Sequence, residues 1–249
     1  MPFTTEPIID TILGGPHPVK AKVYLTFDDG PYPATEEVLN VLRTAEVKAT
    51  FFLTWKHLSH DSALQYRLIR RMLNEGHSLG NHGEDHDPQG ASGYQSTTPG
   101  AVKKDFTGNL EKLKALFEAN KDTFPGFDVA RLPGDGRFQP SYVKMITEDL
   151  RLPHAGWDFE LGDMRFLKDK KTKVGRMSHL NQLNWQEIQG VAATERGLPN
   201  PGSVILLHDN HWSGKSDILL KLITKLKQHF TIAPLSPVPY APTSIQRPK

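Results

Sequence analysis

The stretch from Val23 to Pro31 (V-Y-L-T-F-D-D-G-P) constrains the fold of this chain more than any other. An apolar, β-prone run ends at two adjacent carboxylates and turns on Gly-Pro. A buried parallel strand reads this way, and strands of that kind are joined by helical crossovers. In α/β folds the residues just past the C-terminal ends of such strands are where chemistry gathers. About fifty residues on, Gly80-Asn81-His82-Gly83-Glu84-Asp85-His86 sets two histidines four positions apart, a common spacing for a metal ligand pair.

The rest of the chain alternates strand-like and helical patterns. Val38, Leu39, Val41 and Leu42 form a helical face entered through Thr35, with Glu36 and Glu37 in the first turn. Val47 to Leu53 reads as a strand, Leu64, Leu68 and Met72 as a helical stripe, and Gly76 to Leu79 as a short strand leading to the histidine pair. Val102, Phe106, Leu110, Leu113 and Phe117 are spaced for a long amphipathic helix. The pattern then predicts strands at Phe127–Leu132 and Leu152–Phe159 around a helix at Tyr142–Leu150. A strand over Ser203–Leu207, a helix carrying Ile218, Leu219, Leu222, Ile223 and Leu226, and a strand over Phe230–Ala233 close the series. Such alternation argues for a parallel sheet, open or closed.

Composition bounds the function. At 249 residues the chain suits one large domain, and a net charge of +2 is too mild to argue for nucleic acid. The cluster Lys168, Lys170, Lys171, Lys173 and Arg176 is expected to be a solvated face. The absence of cysteine removes disulfides, thiolate metal sites and thiol nucleophiles. Residues 1–21 hold Ile8, Ile9, Ile12 and Leu13 but no continuous apolar run that could serve as a signal-peptide core, and nothing approaches transmembrane length. The expectation is an intracellular chain or one whose leader has been removed. The tail from Pro234 carries Pro237, Pro239, Pro242 and Pro248 and should be an extended arm.

Asp28 and Asp29 invite a glycosidase reading, but that chemistry needs carboxyl groups facing each other about 5–10 Å apart across a sugar. Neighbours on an extended strand point to opposite faces, so the pair should serve two separate tasks. Thr26-Phe27-Asp28-Asp29-Gly30-Pro31, followed by Glu75 to Asn81 and the pair His82 and His86, resembles the first two motifs of the polysaccharide deacetylases (NodB-homology, carbohydrate esterase family 4). Arg131-Leu132-Pro133-Gly134 is similar to the third motif, Trp157 through Asp163 to the fourth, and Leu206-Leu207-His208-Asp209 to the fifth. The resemblance runs from Lys22 to Ile232, and motifs one, two and five are its specific ones.

The resemblance implies a single-domain, irregular (β/α) barrel with the site at the C-terminal ends of the strands. It implies zinc, or another divalent transition metal, on Asp29, His82 and His86, with Asp28 as the base that takes a proton from zinc-bound water. Arg131 would hold that base, the N–H of Gly134 after Pro133 would help bind the oxyanion, and Leu206 would line a pocket for the acetyl methyl. His208 would be the general acid, kept cationic by Asp163, with Asp158 and Glu160 as competitors for that role. Three departures stand out: Gly83 where the family has Ser or Thr, Gly134-Asp135-Gly136 where an aromatic follows the Pro, and Met164 where a Trp follows the Asp.

His17, His57, His60, His154, His179 and His229 lack partners at ligand spacing and are expected to be structural or surface groups, as is His77. His211 follows His208 closely but is expected not to take part. Trp212 and Tyr94 are candidates for stacking on sugar. The expected layout is a lead-in over residues 1–21, a catalytic domain over 22–233 and a Pro-rich tail over 234–249. The expected activity is removal of acetyl groups from an N-acetylglucosamine-containing polysaccharide such as peptidoglycan or chitin, by a monomer in the cell envelope or outside the cell. Alternatives are acetylxylan O-deacetylation, an allantoinase-like amide hydrolase on the same fold, and a silent carbohydrate binder. No Gly-x-Ser-x-Gly elbow offers a competing nucleophile.

Overall fold

The structure, a computed structural model, describes residues 20–58, 61–86, 98–134, 139–157, 159–160, 199 and 201–235. Every strand pairing is parallel. β1 (Lys22–Gly30) is central. On one side follow β2 (Thr50–Leu53), β3 (Ser78–Asn81) and β4 (Val129–Ala130). On the other lies β6 (Val204–His208) and then β5 (Phe159–Glu160). β7 (Thr231–Ala233) pairs with Lys22 to Tyr24, the start of β1.

Helices fill the connections: α1 (Thr35–Thr44), α2 (Trp55–Leu58), α3 (Ser62–Asn74), α4 (Pro99–Ala119), α5 (Pro140–Lys144) and α6 (Ser216–His229). Their starts follow from capping. Asp61 accepts from the Leu64 N–H at 2.9 Å ahead of α3, and Thr98 accepts from the Ala101 N–H with Pro99 at the first helical turn of α4. Among the described residues no helix is long and apolar enough to cross a membrane.

Strand alternation sorts the sheet into two faces. Val23, Leu25, Phe27, Phe51, Leu53, Leu79, Ile205 and Leu207 join the main core with the apolar stripes of α1, α3 and α6. A second cluster joins Val102 and Phe106 of α4 to Ala130, Leu132, Tyr142, Met145 and Ile146. The opposite register carries Thr26, Asp28, Phe52, Leu206 and His208.

The sheet is strongly curled. His154 bridges to Ala130 beyond β4, while Phe159 pairs with Ile205 of β6 at the other edge. In a flat sheet six strand spacings would separate them, roughly 29 Å at about 4.8 Å each. The chain between them can span at most about 18 Å. The two edges therefore curve toward each other as in an irregular barrel, although no ladder among the described residues closes it.

Several boundaries differ from the sequence pattern. β3 begins at Ser78 rather than Gly76, because Gly76 takes φ +77° to end α3 and cannot also extend the strand. β4 is only two residues long. The helix expected over Tyr142–Leu150 runs from Pro140 to Lys144 and continues as a π turn over Met145–Asp149. Among its described residues Leu152–Phe159 is the crossing between the two edges rather than one strand, paired at His154 and again from Phe159 onward. Trp212 is 8% exposed within the main core, which removes it as a sugar-stacking surface. Tyr94, Asp158, Asp163, Met164, the Lys168–Arg176 cluster and the tail from residue 236 lie outside the described residues.

Candidate metal centre

The site begins with an irregularity in β1. Asp28 pairs with Phe52 and Gly30 with Leu53, so Asp29 is an extra residue, a β-bulge, with φ +72°. Left-handed backbone is uncommon for a residue with a side chain, and aspartate adopts it more readily than most. The bulge overrides strand alternation. Both carboxylates come to the same imidazole, with Asp28 Oδ2 3.6 Å and Asp29 Oδ1 3.4 Å from His82 Nε2. The expectation that they point to opposite faces is thus corrected, while their other partners remain separate. Gly30 is required next, since a Cβ there would run into the buried Asp209 carboxylate.

His82 follows β3 directly and is 2% exposed. Its Nδ1 lies 2.8 Å from the Arg131 carbonyl oxygen, which can only accept, so Nδ1 carries the proton and Nε2 presents a lone pair. His86 sits at φ +61° with Nε2 3.2 Å from Asp29 Oδ1. Ligand atoms of Asp29, His82 and His86 all lie within 4.8 Å of one another. Burial pushes the Asp29 carboxyl up, but the imidazoles of His82 and His86 outweigh it and hold the group well below the usual carboxylate range. Burial likewise lowers His86, and the Asp29 charge more than reverses it.

Asp29 Oδ1 is sealed from water and has no well-aligned donor, only the imidazole nitrogens of His86 and His82 at 3.2 and 3.4 Å. A buried carboxylate oxygen without a donor is costly. One carboxylate and two imidazoles are the donor set of a catalytic zinc with an open position. The residues present therefore fit such an ion.

Helix α4 fixes the loop between the histidines. Asn109, fully buried, donates to the Leu53 carbonyl at 2.9 Å and to Asn81 Oδ1 at 2.8 Å. Asn81 in turn donates to the Phe106 carbonyl at 2.9 Å and accepts from the Gly83 N–H at 3.1 Å. Asp105 accepts the Asp85 N–H at 2.9 Å.

Beside the ligands lies a buried ion pair. Arg131 follows β4, three strands from β1, yet its guanidinium crosses the concave side to Asp28 Oδ1 at 2.6 Å and Thr26 Oγ1 at 2.9 Å. Its remaining N–H groups donate to the carbonyls of Ala155 at 3.1 Å and Gly156 at 2.9 Å, and it lies 4.0 Å from the Phe52 ring centroid. His208 ends β6 with Nε2 3.9 Å from Asp29 Oδ2, and its ring packs against His211 at 5.1 Å. Leu206, two residues back on the same strand face, is buried, as is Pro133; Gly134 is exposed with φ +51°. Asp28, Asp29, His82, Arg131 and His208 thus all stand at or just past the C-terminal ends of parallel strands, with His86 on the loop after β3.

Sequence reasoning missed two kinds of contributor. His57 was expected to have no role, yet its Nδ1 lies 2.7 Å from the Asp29 carbonyl oxygen. Asp105 and Asn109 of α4, outside the apolar stripe that marks this helix in the sequence, are buried. Buried polar residues on an amphipathic helix are a usable signal; a lone histidine after a strand is not. His77, by contrast, accepts the Ala49 N–H at 3.1 Å, and burial pushes its pKa down to about 4.

Comparison with known proteins follows the same lines. The family model described as polysaccharide deacetylase matches residues 16–127. A peptidoglycan-N-acetylglucosamine deacetylase of Bacillus cereus is 29% identical over 215 residues, covering 84% of this chain and 64% of its own length. The chain thus spans less than two thirds of that curated relative. The crystal structure of a peptidoglycan N-acetylglucosamine deacetylase bound to a naphthalenyl N-hydroxybenzamide aligns with TM-score 0.63 at 25% identity, covering 87% of this chain and 86% of that one. A carbohydrate esterase family 4 pseudoenzyme of Bacillus anthracis aligns with TM-score 0.63 at 19% identity, over 88% and 65% of the two chains, a likeness of fold alone.

Proposed function

The chain belongs to the polysaccharide deacetylase family, and we propose on that premise that residues 22–233 form a metal-dependent domain removing acetyl groups from an N-acetylglucosamine-containing polysaccharide. Peptidoglycan is the first candidate, because the long-range relatives described above act on it, and it sets the cell envelope as the place of action. Chitin-type oligomers are the second.

The observation that carries the reading is Asp29 Oδ1: buried, without a well-aligned donor, and facing two imidazole nitrogens at 3.2 and 3.4 Å. Asp29, His82 and His86 would hold zinc, which supplies a water of near-neutral pKa and polarisation of the amide carbonyl. Asp28 is the base. Arg131 fixes one of its oxygens, leaving Oδ2 on the side of the ligands to take a proton. The N–H of Gly134 is the oxyanion donor and the buried Leu206 side chain faces the acetyl methyl. His208 gives its proton to the departing amine; its Nε2 lies 3.9 Å from Asp29 Oδ2, at the edge of the ligand set. The same fold also hosts a pseudoenzyme. A carboxylate held by a buried arginine next to a ligand set supports hydrolysis over silent binding, which needs neither.

The test is acetate release from peptidoglycan, chitin oligomers and acetylated xylan by the zinc-loaded protein, repeated after chelation. Release from the N-acetylglucosamine polymers that stops with chelation and returns with zinc supports the proposal. Chelator-insensitive release, or polymer binding without release from any of them, overturns it.

A further inference from the structure

We propose that His57 is the positioning residue that aims the Asp29 carboxylate at the metal, an inference resting on the metal-centre reading above. Asp29 is the ligand most in need of holding. It is a bulge residue with φ +72°, a left-handed conformation that a residue with a Cβ adopts only when its surroundings hold it there. Its carbonyl is the handle. His57 Nδ1 lies 2.7 Å from that oxygen, and since a carbonyl only accepts, the Nδ1 proton makes the bond. The half-buried imidazole is set by Tyr32, whose ring lies 4.8 Å away and whose hydroxyl is 2.9 Å from the same nitrogen.

The segment around His57 is bonded to both ligand-bearing stretches. The Thr54 N–H donates to the Gly30 carbonyl at 3.1 Å, so the residue after Asp29 is tied to the segment that leads into α2. The Lys56 N–H donates to the Glu84 carbonyl at 2.8 Å, between His82 and His86. One short helix, α2, therefore fixes the distance between the carboxylate ligand and the histidine loop. Its backbone bonds survive any substitution. The His57 side-chain bond does not, and without it the Asp29 peptide is free to rotate and carry Oδ1 away from the two imidazoles.

The experiment measures zinc affinity of the full chain by competition with a chromophoric chelator, for wild type, His57→Ala, His57→Asn and His57→Gln. Acetate release at saturating zinc is measured alongside. Loss of an outer partner of a metal ligand typically costs about 10–100-fold in affinity, and His57→Ala should fall in that range with KM little changed. Asn carries an N–H near the place of Nδ1 and should recover most of the affinity; Gln carries it near Nε2 and should not. If His57→Ala fails to fold, the Asn–Gln contrast still decides. Zinc affinity of His57→Ala within about twofold of wild type, or equal recovery by Gln and Asn, overturns the proposal. A wild-type chain that takes up no zinc overturns the metal-centre reading itself; wild-type uptake with unaltered His57→Ala uptake removes only the role of His57.

Discussion

Arg131 Nη1 and Asp28 Oδ1 are 2.6 Å apart, with the two side chains 0% and 4% exposed. Arg131 directly follows β4 and Asp28 lies in β1, strands that do not touch in the sheet, so the pair spans the concave side of the curled structure. Such a pair is weak evidence for net stability, because desolvation of both charges offsets much of their attraction. Breaking it is another matter, since the surviving charge stays buried.

Arg131→Met should therefore destabilise the fold by about 3–5 kcal/mol, the usual cost of an uncompensated buried carboxylate. Urea unfolding of the two proteins measures it. Asp28→Asn leaves the arginine four other acceptors and contacts, Thr26, Ala155, Gly156 and the Phe52 ring, and should cost less. A larger loss for Asp28→Asn than for Arg131→Met would show that the guanidinium, not the carboxylate, is the costlier group to strand.

The paired aspartates separate by role. Asp28→Asn should keep bound zinc and lose turnover by about 10²–10⁴-fold, the usual cost of a positioned base. Asp29→Asn should lose zinc first, because its Oδ1 faces both histidines, and recover part of its activity in excess zinc. Zinc content and acetate release, measured side by side, decide. Loss of metal in Asp28→Asn would reverse the assignment.

Asp209 gives a pH signature in the metal-free protein. Burial pushes its carboxyl up from 3.8 to about 7, while the Thr35 hydroxyl bond partly opposes this. The folded state then holds a proton that the unfolded chain has released, so stability declines as pH rises from about 4 to about 7. Below the unfolded pKa both states are protonated and the contribution is fully present. Asp209→Asn removes the term. The difference in unfolding free energy between wild type and variant should change across that window and be flat on either side. A constant difference from pH 4 to 8 would mean that Asp209 is not held protonated by the fold.

The strands and helices were legible because their cues are local: the Val23–Phe27 run, the Leu68 and Met72 stripe, the closing helix with Leu222 and Leu226. The pairing of His82 with His86 was suggested by their spacing; that Asp29 would stand with them, and Arg131 beside Asp28, was suggested only through motif resemblance. The bulge at Asp29 was not legible, since its φ is set by contacts with segments far along the chain: Thr54 on the Gly30 carbonyl, His57 on its own, Asp209 against Gly30. The crossing from His154 to Phe159 was misread for a related reason. Its apolar residues fit a strand pattern, but the neighbours it needs for pairing lie on two different edges.

Asn109 gives the last prediction. It stands on α4, away from the ligands, and acts through Asn81 on the Gly83 N–H at the start of the loop to His86. Asn109→Ala removes donors from the Leu53 carbonyl and from Asn81 Oδ1, both buried with it. Each acceptor keeps another donor, the His82 N–H on Leu53 and the Gly83 N–H on Asn81, so each lost bond should cost about 0.5–1.5 kcal/mol and the metal-free variant should melt a few degrees below wild type. Loosening Asn81 should also weaken zinc binding. A ligand that binds only the native state stabilises it in proportion to the logarithm of its concentration over Kd. The zinc-dependent rise in Tm should therefore be smaller in the variant than in wild type at equal zinc. Thermal melts of both proteins with and without zinc check this. An equal rise in Tm, alongside a lower starting value, would confine Asn109 to stability and detach it from the metal centre.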